Sequence, residues 1–313
     1  MKSNIKNCQL VSIPVIAYNS SQTIIETLNS IKAQTYPNIE LIISDDYSTD
    51  NTVEICREWV EQNKERFVRT EIITVEKNTG TAGNLNRAEA VCQGEWIKGI
   101  AGDDLLMPNC IQDCMEYVAE HPETIYLFGR QKAFDADKER CKEVDEVFDY
   151  SFFNKTPEEQ LHRLVFESNC VPATTVIYNR EHAAKVGVKN DERIPLLEDW
   201  PKWINLIRAG VKLHFVDKVL VMYRVGGIST GGNCSVIAYR SGRLFDFYYR
   251  FPEWSKINAN EAVERMVKNE VEIYQWWMES ERQLYQIQHS KAYRLGKAIL
   301  KPFKWMRKKM RAM

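Results

Sequence analysis

The stretch IELIISDDYSTDNT, residues 39–52, indicates how the first half of the chain folds. Its apolar beginning has the length and β-branched content of a buried strand, and it ends at Asp45 and Asp46. Ser48 or Asp50 then offers a side-chain oxygen that caps a helix. The apolar face of that helix would consist of Val53, Cys56 and Val60. The stretch therefore predicts a strand, an acidic turn and a helix in succession.

The flanking sequence continues this alternation of strands and helices. Apolar runs of strand length occupy residues 10–16, 71–75 and 95–100, and helical patterns occupy residues 24–31 and 81–92. Strands that alternate with helices predict a mainly parallel sheet covered by helices. In such sheets, ligands bind beyond the carboxyl ends of the strands.

Two acidic pairs are expected at this edge of the sheet. Asp45-Asp46 and Asp103-Asp104 each follow a predicted strand, so both pairs should face one crevice. The sequence has neither a G-x-G-x-x-G motif nor a Walker A loop, so the phosphates of a nucleotide would need another counter-charge. Clustered carboxylates favour a hard divalent cation, Mg²⁺ or Mn²⁺.

The composition excludes several classes of protein. Of 313 residues, 44% are hydrophobic and 27% are charged, which is typical of a globular protein with a sizeable core. A net charge of −1 without an aromatic-lined basic surface argues against a nucleic-acid partner. The eight cysteines form no C-x-x-C pair, which favours free thiols in a reducing compartment. Without a signal-peptide pattern or a long apolar run, the sequence predicts a cytoplasmic location.

The segment 282–313 differs from the rest because it contains ten Lys and Arg and no acidic residue. Its basic and apolar residues recur on opposite sides of a helical wheel, interrupted by Pro302. This pattern predicts a basic amphipathic helix that contacts the inner face of the cytoplasmic membrane peripherally. A helix packed on the rest of the chain and a disordered end are the alternatives. Just upstream, a second amphipathic pattern predicts a long helix that either packs on the domain or forms an oligomer.

Short motifs follow one another in a fixed order over residues 9–230. They are VSIPVIAYN (11–19), QTYPN (34–38), SDDYSTDNT (44–52), NTG (78–80) followed by Asn86, GEWI (94–97), AGDD (101–104), LEDW (197–200) and YRVGG (223–227). Their order and spacing resemble those of the family 2 glycosyltransferases, which have the GT-A fold. The resemblance implies an α/β domain with a mainly parallel central sheet flanked by helices. From about residue 236 to the end, the sequence pattern itself is helical and predicts a C-terminal helical extension.

The resemblance and the helical pattern together predict a division of the chain into domains. Residues 1–234 would form the catalytic domain, and residues 235–313 would form the helical extension with the basic tail. Within the catalytic domain, residues 1–104 would bind the nucleotide sugar and residues 105–234 would bind the acceptor.

The donor nucleotide is assigned by the resemblance to the ends of the first strands. Asp46 corresponds to the residue that contacts the base. The rest of the donor-binding set would comprise Ile16, Ala17, Tyr18, Asp45 and Asn86. The alternative for Asp46 is purely structural, because it could simply form the turn and cap a helix.

The metal motif departs from the family pattern at one position. Asp103 matches the last acid of the family's D-x-D motif, whereas Ala101 replaces the first acid. Asp103 and Asp104 would therefore hold Mg²⁺ or Mn²⁺ with water and the donor diphosphate, and Arg224 would pair with that diphosphate. The alternative for the two acids is a structural acidic turn before Pro108. The alternative for Arg224 is an ordinary surface arginine.

Asp199 matches the general base of the inverting members of the family. It would accept the proton of the acceptor hydroxyl as that oxygen attacks the anomeric carbon. Glu198 would orient a neighbour or the acceptor, and it is the second choice for the base. The alternative for Asp199 is a structural one, the N-cap of a helix predicted over residues 200–209.

The resemblance implies an inverting transfer from a nucleotide diphosphate sugar, with a UDP-sugar as first choice and TDP or GDP sugars open. The acceptor would be a hydroxyl of a glycan or lipid-linked oligosaccharide in bacterial surface-polysaccharide assembly. Two alternatives belong to other classes of protein. Ala101 would suit a degenerate, non-catalytic scaffold that only binds glycan or nucleotide sugar. A sugar nucleotidyltransferase would need a glycine-rich basic loop after the first strand, which residues 19–23 lack.

Overall fold

The computed structural model describes residues 8–134, 142–143, 148–194, 197–225 and 241–257, together with residues 263–265, 267–268, 279 and 282. The chain divides into two compact units, Met1–Arg250 and Phe251–Met313. The predicted domain boundary at residue 234, the glycine-rich part of the last motif and the basic amphipathic tail after Arg282 lie outside the described residues.

The first unit is built on one mixed sheet. Its strands within the described residues are β1 (Val11–Ala17), β2 (Ile39–Asp45), β3 (Arg69–Ile73), β4 (Trp96–Ile97), β5 (Ile100–Ala101), β6 (Leu105–Leu106), β7 (Tyr126–Phe134), β8 (Lys142–Glu143), β9 (Ile177–Asn179) and β10 (Leu213–Arg224). Their order is β3-β2-β1-β4-β9-β7-β10-β6, with β5 paired to β1 and β8 paired to β7.

Helices connect and cover these strands. Those of the first unit are α1 (Ile24–Lys32), α2 (Thr52–Asn63), α3 (Gly80–Ala90), α4 (Cys110–Glu120), α5 (Pro157–Phe166), α6 (Arg180–Val186) and α7 (Asp199–Arg208). Residues 241–245 are helical and continue into a π-helical segment, Asp246–Arg250. The second unit begins with α8 (Phe251–Ile257).

The N-terminal half of the sheet is parallel, as the sequence predicts. β1 and β2 consist almost entirely of buried residues, which is the pattern of strands covered on both faces. β1 pairs in parallel with β2, β4 and β5. Its last residues align with Asp45 on one side and Ala101 on the other, since Ala17 is the register partner of Asp45 and Ile16 that of Ala101. The end of β1 therefore brings both acidic pairs to one edge of the sheet.

The other half of the sheet is mixed. β9 runs antiparallel between β4 and β7, whereas β7 and β10 are parallel. The sequence predicts two strands, over residues 212–216 and 219–224, but β10 is one strand of twelve residues. An irregularity in its pairing lies between Phe215 and Val219. The exposed polar residues Asp217 and Lys218 lie at this irregularity, and such a polar pair between two apolar runs is typical of a turn.

The predicted strand over residues 95–100 forms as two short pieces, β4 and β5, with Lys98 between them. The Lys98 side chain is fully buried, and its Nζ donates to the carbonyls of Gly99 at 2.9 Å and Thr174 at 2.6 Å. Burial lowers the pKa of this ammonium group. Its hydrogen bonds tie the parallel half of the sheet to the segment that leads into β9.

A test of this packing is available at Gly94, before β4. A Cβ there would lie 2.6 Å from the backbone nitrogen of Ser12 and 2.8 Å from the carbonyl oxygen of Leu10, and backbone atoms cannot move aside cheaply. We expect Gly94→Ala to lower the free energy of unfolding by about 1–3 kcal/mol, measured by urea denaturation. Gly242→Ala is the control because its Cβ meets nothing within 4 Å. Equal midpoints for the two variants would contradict the packing at Gly94.

Candidate active site

The carboxylate of Asp46 lies just beyond β2 and is bound by the start of α3. It accepts hydrogen bonds from the backbone N–H of Thr79 at 2.9 and 3.0 Å and from that of Gly80 at 2.7 Å. The Thr79 hydroxyl donates at 2.6 Å and Arg87 Nη2 at 3.1 Å. The side chain of Thr79 itself does not cap the helix. Asp46 therefore caps α3 from a distant point in the sequence and satisfies its unpaired N–H groups.

These contacts leave little of Asp46 free, since the residue is only 2% exposed. An N–H of a nucleotide base would have to share an oxygen with these groups or displace one of them. Arg87, at 3.1 Å, is the one charged group among these partners, and its side chain is partly exposed. The predicted contact between Asp46 and the base stays a prediction, while its structural role is plain in the hydrogen bonds.

Four other residues predicted to bind the donor lie next to Asp46 at the ends of β1 and β2. Asp45 is buried and accepts a hydrogen bond from the backbone N–H of Ser48 at 2.8 Å, and the Ser48 hydroxyl also donates to it. Ile16 and Ala17 end β1, and Ala17 O accepts the backbone N–H of Asp46 at 2.9 Å. Tyr18, which follows, is 38% exposed. The ends of β1 and β2 thus place hydrogen-bonded polar groups beside the accessible ring of Tyr18.

Asn86 lies elsewhere on α3 and makes contacts within the protein. Its amide donates to Asn190 O at 3.2 Å and to Glu192 Oε1 at 2.8 Å, and its oxygen accepts from Asn190 Nδ2 at 3.0 Å. Lys202 Nζ, on α7, reaches Asn190 Oδ1 at 3.3 Å. Asn86 therefore fastens α3 to the segment that precedes α7. Its predicted contact with the donor stays a prediction.

The Asp103-Asp104 turn is held by α1 and β10. The hydroxyls of Thr23 and Thr27 donate to the carbonyls of Gly102 and Asp104, both at 2.8 Å. The Asp104 carboxylate is buried and accepts the backbone N–H of Arg224 at 2.8 Å. Burial, with the nearby charge of Asp103, raises the pKa of Asp104 to about 7. Asp104 therefore anchors the turn.

The Arg224 side chain also belongs to this turn. Its Nε donates to Asp103 O at 2.8 Å, and its Nη2 pairs with Glu26 at 2.8 Å. Its guanidinium lies over the ring of Phe134, 4.5 Å from the centroid. A diphosphate would have to compete with Glu26 for this group, so the predicted pairing of Arg224 with the donor stays a prediction.

A metal ion at this site would depend on Asp103. Among the residues that the structure describes, no three His, Cys, Asp or Glu side chains lie close enough together to hold an ion. Asp103 is less buried than Asp104, and burial raises the pKa of its carboxyl group. One carboxylate supplemented by substrate phosphates and water is a usual set of ligands for Mg²⁺. The residues therefore fit an ion that binds together with the diphosphate.

The second acidic site is at the N-terminus of α7. Asp199 begins the helix, and Asn169 Nδ2 donates to its Oδ2 at 2.9 Å. The Asn169 oxygen is itself fixed by the backbone N–H of Val171 at 3.1 Å. Burial raises the pKa of Asp199 above its ordinary value, and the bond from Asn169 opposes that rise. Asn169 thus sets the direction in which the Asp199 carboxylate points.

Glu198 adjoins Asp199 but is held differently. Its Oε2 is buried and has no hydrogen-bond partner among the described residues. Burial, with the charge of Asp199, raises the pKa of Glu198 to about 7. A buried carboxylate oxygen without a partner is costly unless a ligand supplies one. This oxygen is therefore suited to a hydroxyl group of a substrate.

The burial of Glu198 gives a pH-dependent prediction. Its pKa rises from about 4.3 in the unfolded chain to about 7, so between these values the folded state holds the extra proton and stability falls as pH rises. Glu198→Gln removes this penalty. We expect the variant to match the wild type near pH 4.5 and to exceed its free energy of unfolding by about 1–3 kcal/mol at pH 8. A difference that is constant across the two pH values would contradict the raised pKa.

Arg87 and Asn169 are site residues that the sequence analysis missed. Arg87 contacts Asp46 across 41 positions of sequence, and Asn169 contacts Asp199 across 30. Neither residue belongs to a motif whose spacing predicts such a contact. Only the folded arrangement of α3, and of the segment that follows α5, brings them to these carboxylates.

The sheet, with its strand order and the helices that cover it, has the GT-A fold. The crystal structure of S. aureus TarS residues 1–349 in complex with UDP-GlcNAc shares this fold with a TM-score of 0.58 and 21% identity. The match covers 76% of this chain and 66% of that one, so the chain spans just under two thirds of that solved protein.

Sequence comparison defines the family. The model named Glycosyl transferase family 2 matches residues 12–187, and the chain belongs to that family. In Escherichia coli, the UDP-Glc:alpha-D-GlcNAc-diphosphoundecaprenol beta-1,3-glucosyltransferase WfaP is 32% identical over 229 residues, 72% of this chain and 81% of WfaP. TuaG of Bacillus subtilis (strain 168), provisionally named a teichuronic acid biosynthesis glycosyltransferase, is 25% identical over 77% of this chain and 87% of its own.

Family membership confirms the predicted fold class and the prediction that the chain is an enzyme, a glycosyltransferase. It favours this activity over the nucleotidyltransferase and scaffold alternatives. In the described part of the chain, no helix is both long and apolar enough to span a membrane.

Proposed function

We propose that the chain transfers a sugar, with inversion, from a UDP-sugar to a hydroxyl of a lipid-linked or polysaccharide acceptor. The observation that carries this proposal is the acidic pair at α7, in which Asn169 orients Asp199 and Glu198 keeps a buried oxygen for a ligand. The name of WfaP specifies a UDP-sugar donor and a diphospho-lipid acceptor, and TarS was crystallised with UDP-GlcNAc. Both support this choice of substrates, and the name of TuaG supports a role in surface-polysaccharide assembly.

In the proposed mechanism, Asp199 removes the acceptor proton. Its burial raises the carboxyl pKa, so the carboxylate is a better proton acceptor than an exposed aspartate. Asn169 donates to one of its oxygens and so fixes the direction of the carboxylate. Glu198 accepts a hydrogen bond from a second acceptor hydroxyl. The attacking oxygen bonds to the anomeric carbon as the bond to the diphosphate breaks, and the product has the opposite configuration.

The leaving diphosphate would be held at the turn beside β1. Asp103 would hold a Mg²⁺ or Mn²⁺ ion there, while Asp104 and Arg224 keep the turn in place. Such an ion, when bound, neutralises charge that develops on the leaving phosphate oxygens. The turn is fixed before substrate arrives, because Thr23 and Thr27 already hold its carbonyls.

A nucleotide panel and a product analysis test the proposal. We expect calorimetry with UDP, TDP, GDP, CDP and ADP, with and without Mn²⁺, to show binding that depends on the metal for UDP and no binding of the other four nucleotides. Incubation with UDP-glucose or UDP-GlcNAc and a GlcNAc-diphospho-lipid should then yield a disaccharide whose anomeric configuration is inverted by NMR. A retained configuration would overturn the role of Asp199, and binding of another nucleotide would overturn the choice of donor.

A peripheral membrane contact through the basic tail remains part of the proposal. Its support is the charge of residues 282–313, with ten basic residues and no acidic one. Sedimentation with vesicles that contain anionic lipid, compared with neutral vesicles, would test it. Equal binding to both would count against an electrostatic contact.

A further inference from the structure

A buried indole nitrogen on α7 has no hydrogen-bond partner. Trp203 is 1% exposed, and its Nε1 makes no hydrogen bond among the residues that the structure describes. The indole N–H groups of Trp59, Trp96 and Trp200, by contrast, each donate to an oxygen, at 2.9, 3.1 and 2.8 Å. A buried N–H without an acceptor is costly, so the one on Trp203 requires an explanation.

The helical register places Trp203 beside Asp199. Asp199 is the first residue of α7, and residues four apart lie on the same side of a helix. The indole N–H of Trp203 is near enough to lower the pKa of the Asp199 carboxyl group, although it does not reach hydrogen-bonding geometry. Phe128 packs edge-on against the indole ring, with the ring centroids 5.0 Å apart. The N–H therefore adjoins Asp199 from a ring that the core holds in place.

Asn169 approaches the same carboxylate from another part of the chain. It lies between α5 and β9, and its Nδ2 donates to Asp199 Oδ2 at 2.9 Å. A carboxylate has room for about four hydrogen bonds, so Asp199 can accept from both N–H donors and still take a proton. Both donors favour the charged form of the carboxyl group, and burial opposes it. The charged form is the one that a general base needs.

We propose that Trp203 is a positioning residue for Asp199, and that its indole N–H donates to the carboxylate when Asp199 is ionised. Together with Asn169, it then holds the buried base charged and correctly oriented. This inference rests on the proposed function, because its effect on catalysis requires Asp199 to be the base.

The charges around this contact determine how it must be tested. Glu198 adjoins Asp199 and has a pKa raised to about 7 by burial and by the charge of Asp199. Lys202 Nζ lies over the indole ring, 5.8 Å from its centroid. Other charged groups near α7 pair with carboxylates close to them in sequence: His162 and Arg163 with Glu167, Arg243 and Arg250 with Asp246, and Arg193 with Asp191. Glu198 is therefore the group whose titration has to be separated from that of Asp199.

NMR of the ¹⁵N-labelled protein follows the indole N–H directly. A pH titration of Glu198→Gln removes the titration of Glu198, and the Trp203 resonance is assigned by its loss in Trp203→Phe. We expect this resonance to move downfield as Asp199 ionises, because a charged acceptor strengthens the hydrogen bond. It should stay constant when Asp199→Asn is added. A resonance that does not respond to pH in Glu198→Gln, or that responds equally in the double variant, would overturn the proposal.

Kinetics provides a second test. Trp203→Phe keeps an aromatic ring in the core and removes the N–H, so the carboxyl group is harder to ionise. We expect kcat/KM for the acceptor to fall about tenfold on the acidic limb of the pH profile and to stay within about twofold of the wild type on its plateau. UDP affinity should also stay within about twofold, since the donor site is not changed.

Trp59→Phe is the matched control, because it removes the N–H of a buried tryptophan on α2 and should leave the pH profile in place. A loss of kcat/KM in Trp203→Phe that is equal on the limb and the plateau would mean that the ring only packs, and would contradict the proposal. If Trp203→Phe unfolds, the NMR comparison of Glu198→Gln with the double variant still decides. Failure of the wild type to transfer sugar would refute the proposed function, whereas the NMR titration needs no substrate.

Discussion

Asp199→Asn should lower kcat for sugar transfer by about 10²–10⁴-fold and leave UDP affinity within about twofold of the wild type. The amide can still accept the hydrogen bond from Asn169, so the start of α7 should keep its structure. What the variant loses is the ability to take a proton. Steady-state kinetics with UDP-sugar and the lipid-linked acceptor, together with calorimetry, measure both quantities.

Two further variants make this prediction specific. Asp217→Asn changes an exposed carboxylate in the irregular part of β10 and should keep wild-type turnover. Asn169→Ala leaves the base in place but removes the group that orients it, so kcat should fall less than in Asp199→Asn, with an altered pH profile. If Asp199→Asn kept more than a tenth of wild-type kcat, Asp199 could not be the base, and Glu198 would become the first choice.

Asp103→Asn should abolish the metal-dependent part of UDP binding and lower kcat by about 10²–10³-fold. The reason is that Asp103 alone in the acidic turn has a carboxylate that is not fixed to β10. Calorimetry of UDP with increasing Mn²⁺ measures the effect independently of turnover. The expected result is a wild-type affinity that rises with the ion and a variant affinity that does not.

The neighbouring acid provides the matched control. Asp104→Asn should retain the Mn²⁺ dependence, because its carboxylate is buried against the backbone N–H of Arg224 and an amide oxygen can accept the same bond. Loss of Mn²⁺ dependence in Asp104→Asn, but not in Asp103→Asn, would exchange the two roles.

The parallel half of the fold was predictable because its sequence signals are local. β1 and β2 are apolar runs, and an acidic or polar turn marks the end of each. β3 spans Arg69–Ile73 and was predicted two residues too late, over 71–75, because its first three residues are polar. The antiparallel placement of β9 between β4 and β7 was not predictable, since a three-residue strand has no periodicity that shows its direction or its neighbours. β10 was split in the prediction because a polar irregularity within a strand resembles a turn.

In the candidate site, too, local features were predictable and distant contacts were not. Motifs located Asp46, Asp103 and Asp199 at the correct ends of strands and helices, because those positions depend on local sequence. What the carboxylates contact depends on distant parts of the chain. Only the structure shows that Asp46 caps α3 and that Arg224 is engaged with Glu26.

The binding of Asp46 by α3 has a consequence for how this enzyme can evolve. A substitution that removes the side-chain oxygens of Asp46 uncaps a helix and leaves buried N–H groups without partners, so it endangers folding whatever its effect on the substrate. Substitutions of exposed side chains nearby, such as Tyr18, cost the fold little. New preferences for a nucleotide base should therefore arise by mutation of exposed side chains such as Tyr18. Asp46 itself should be kept unchanged by selection for stability.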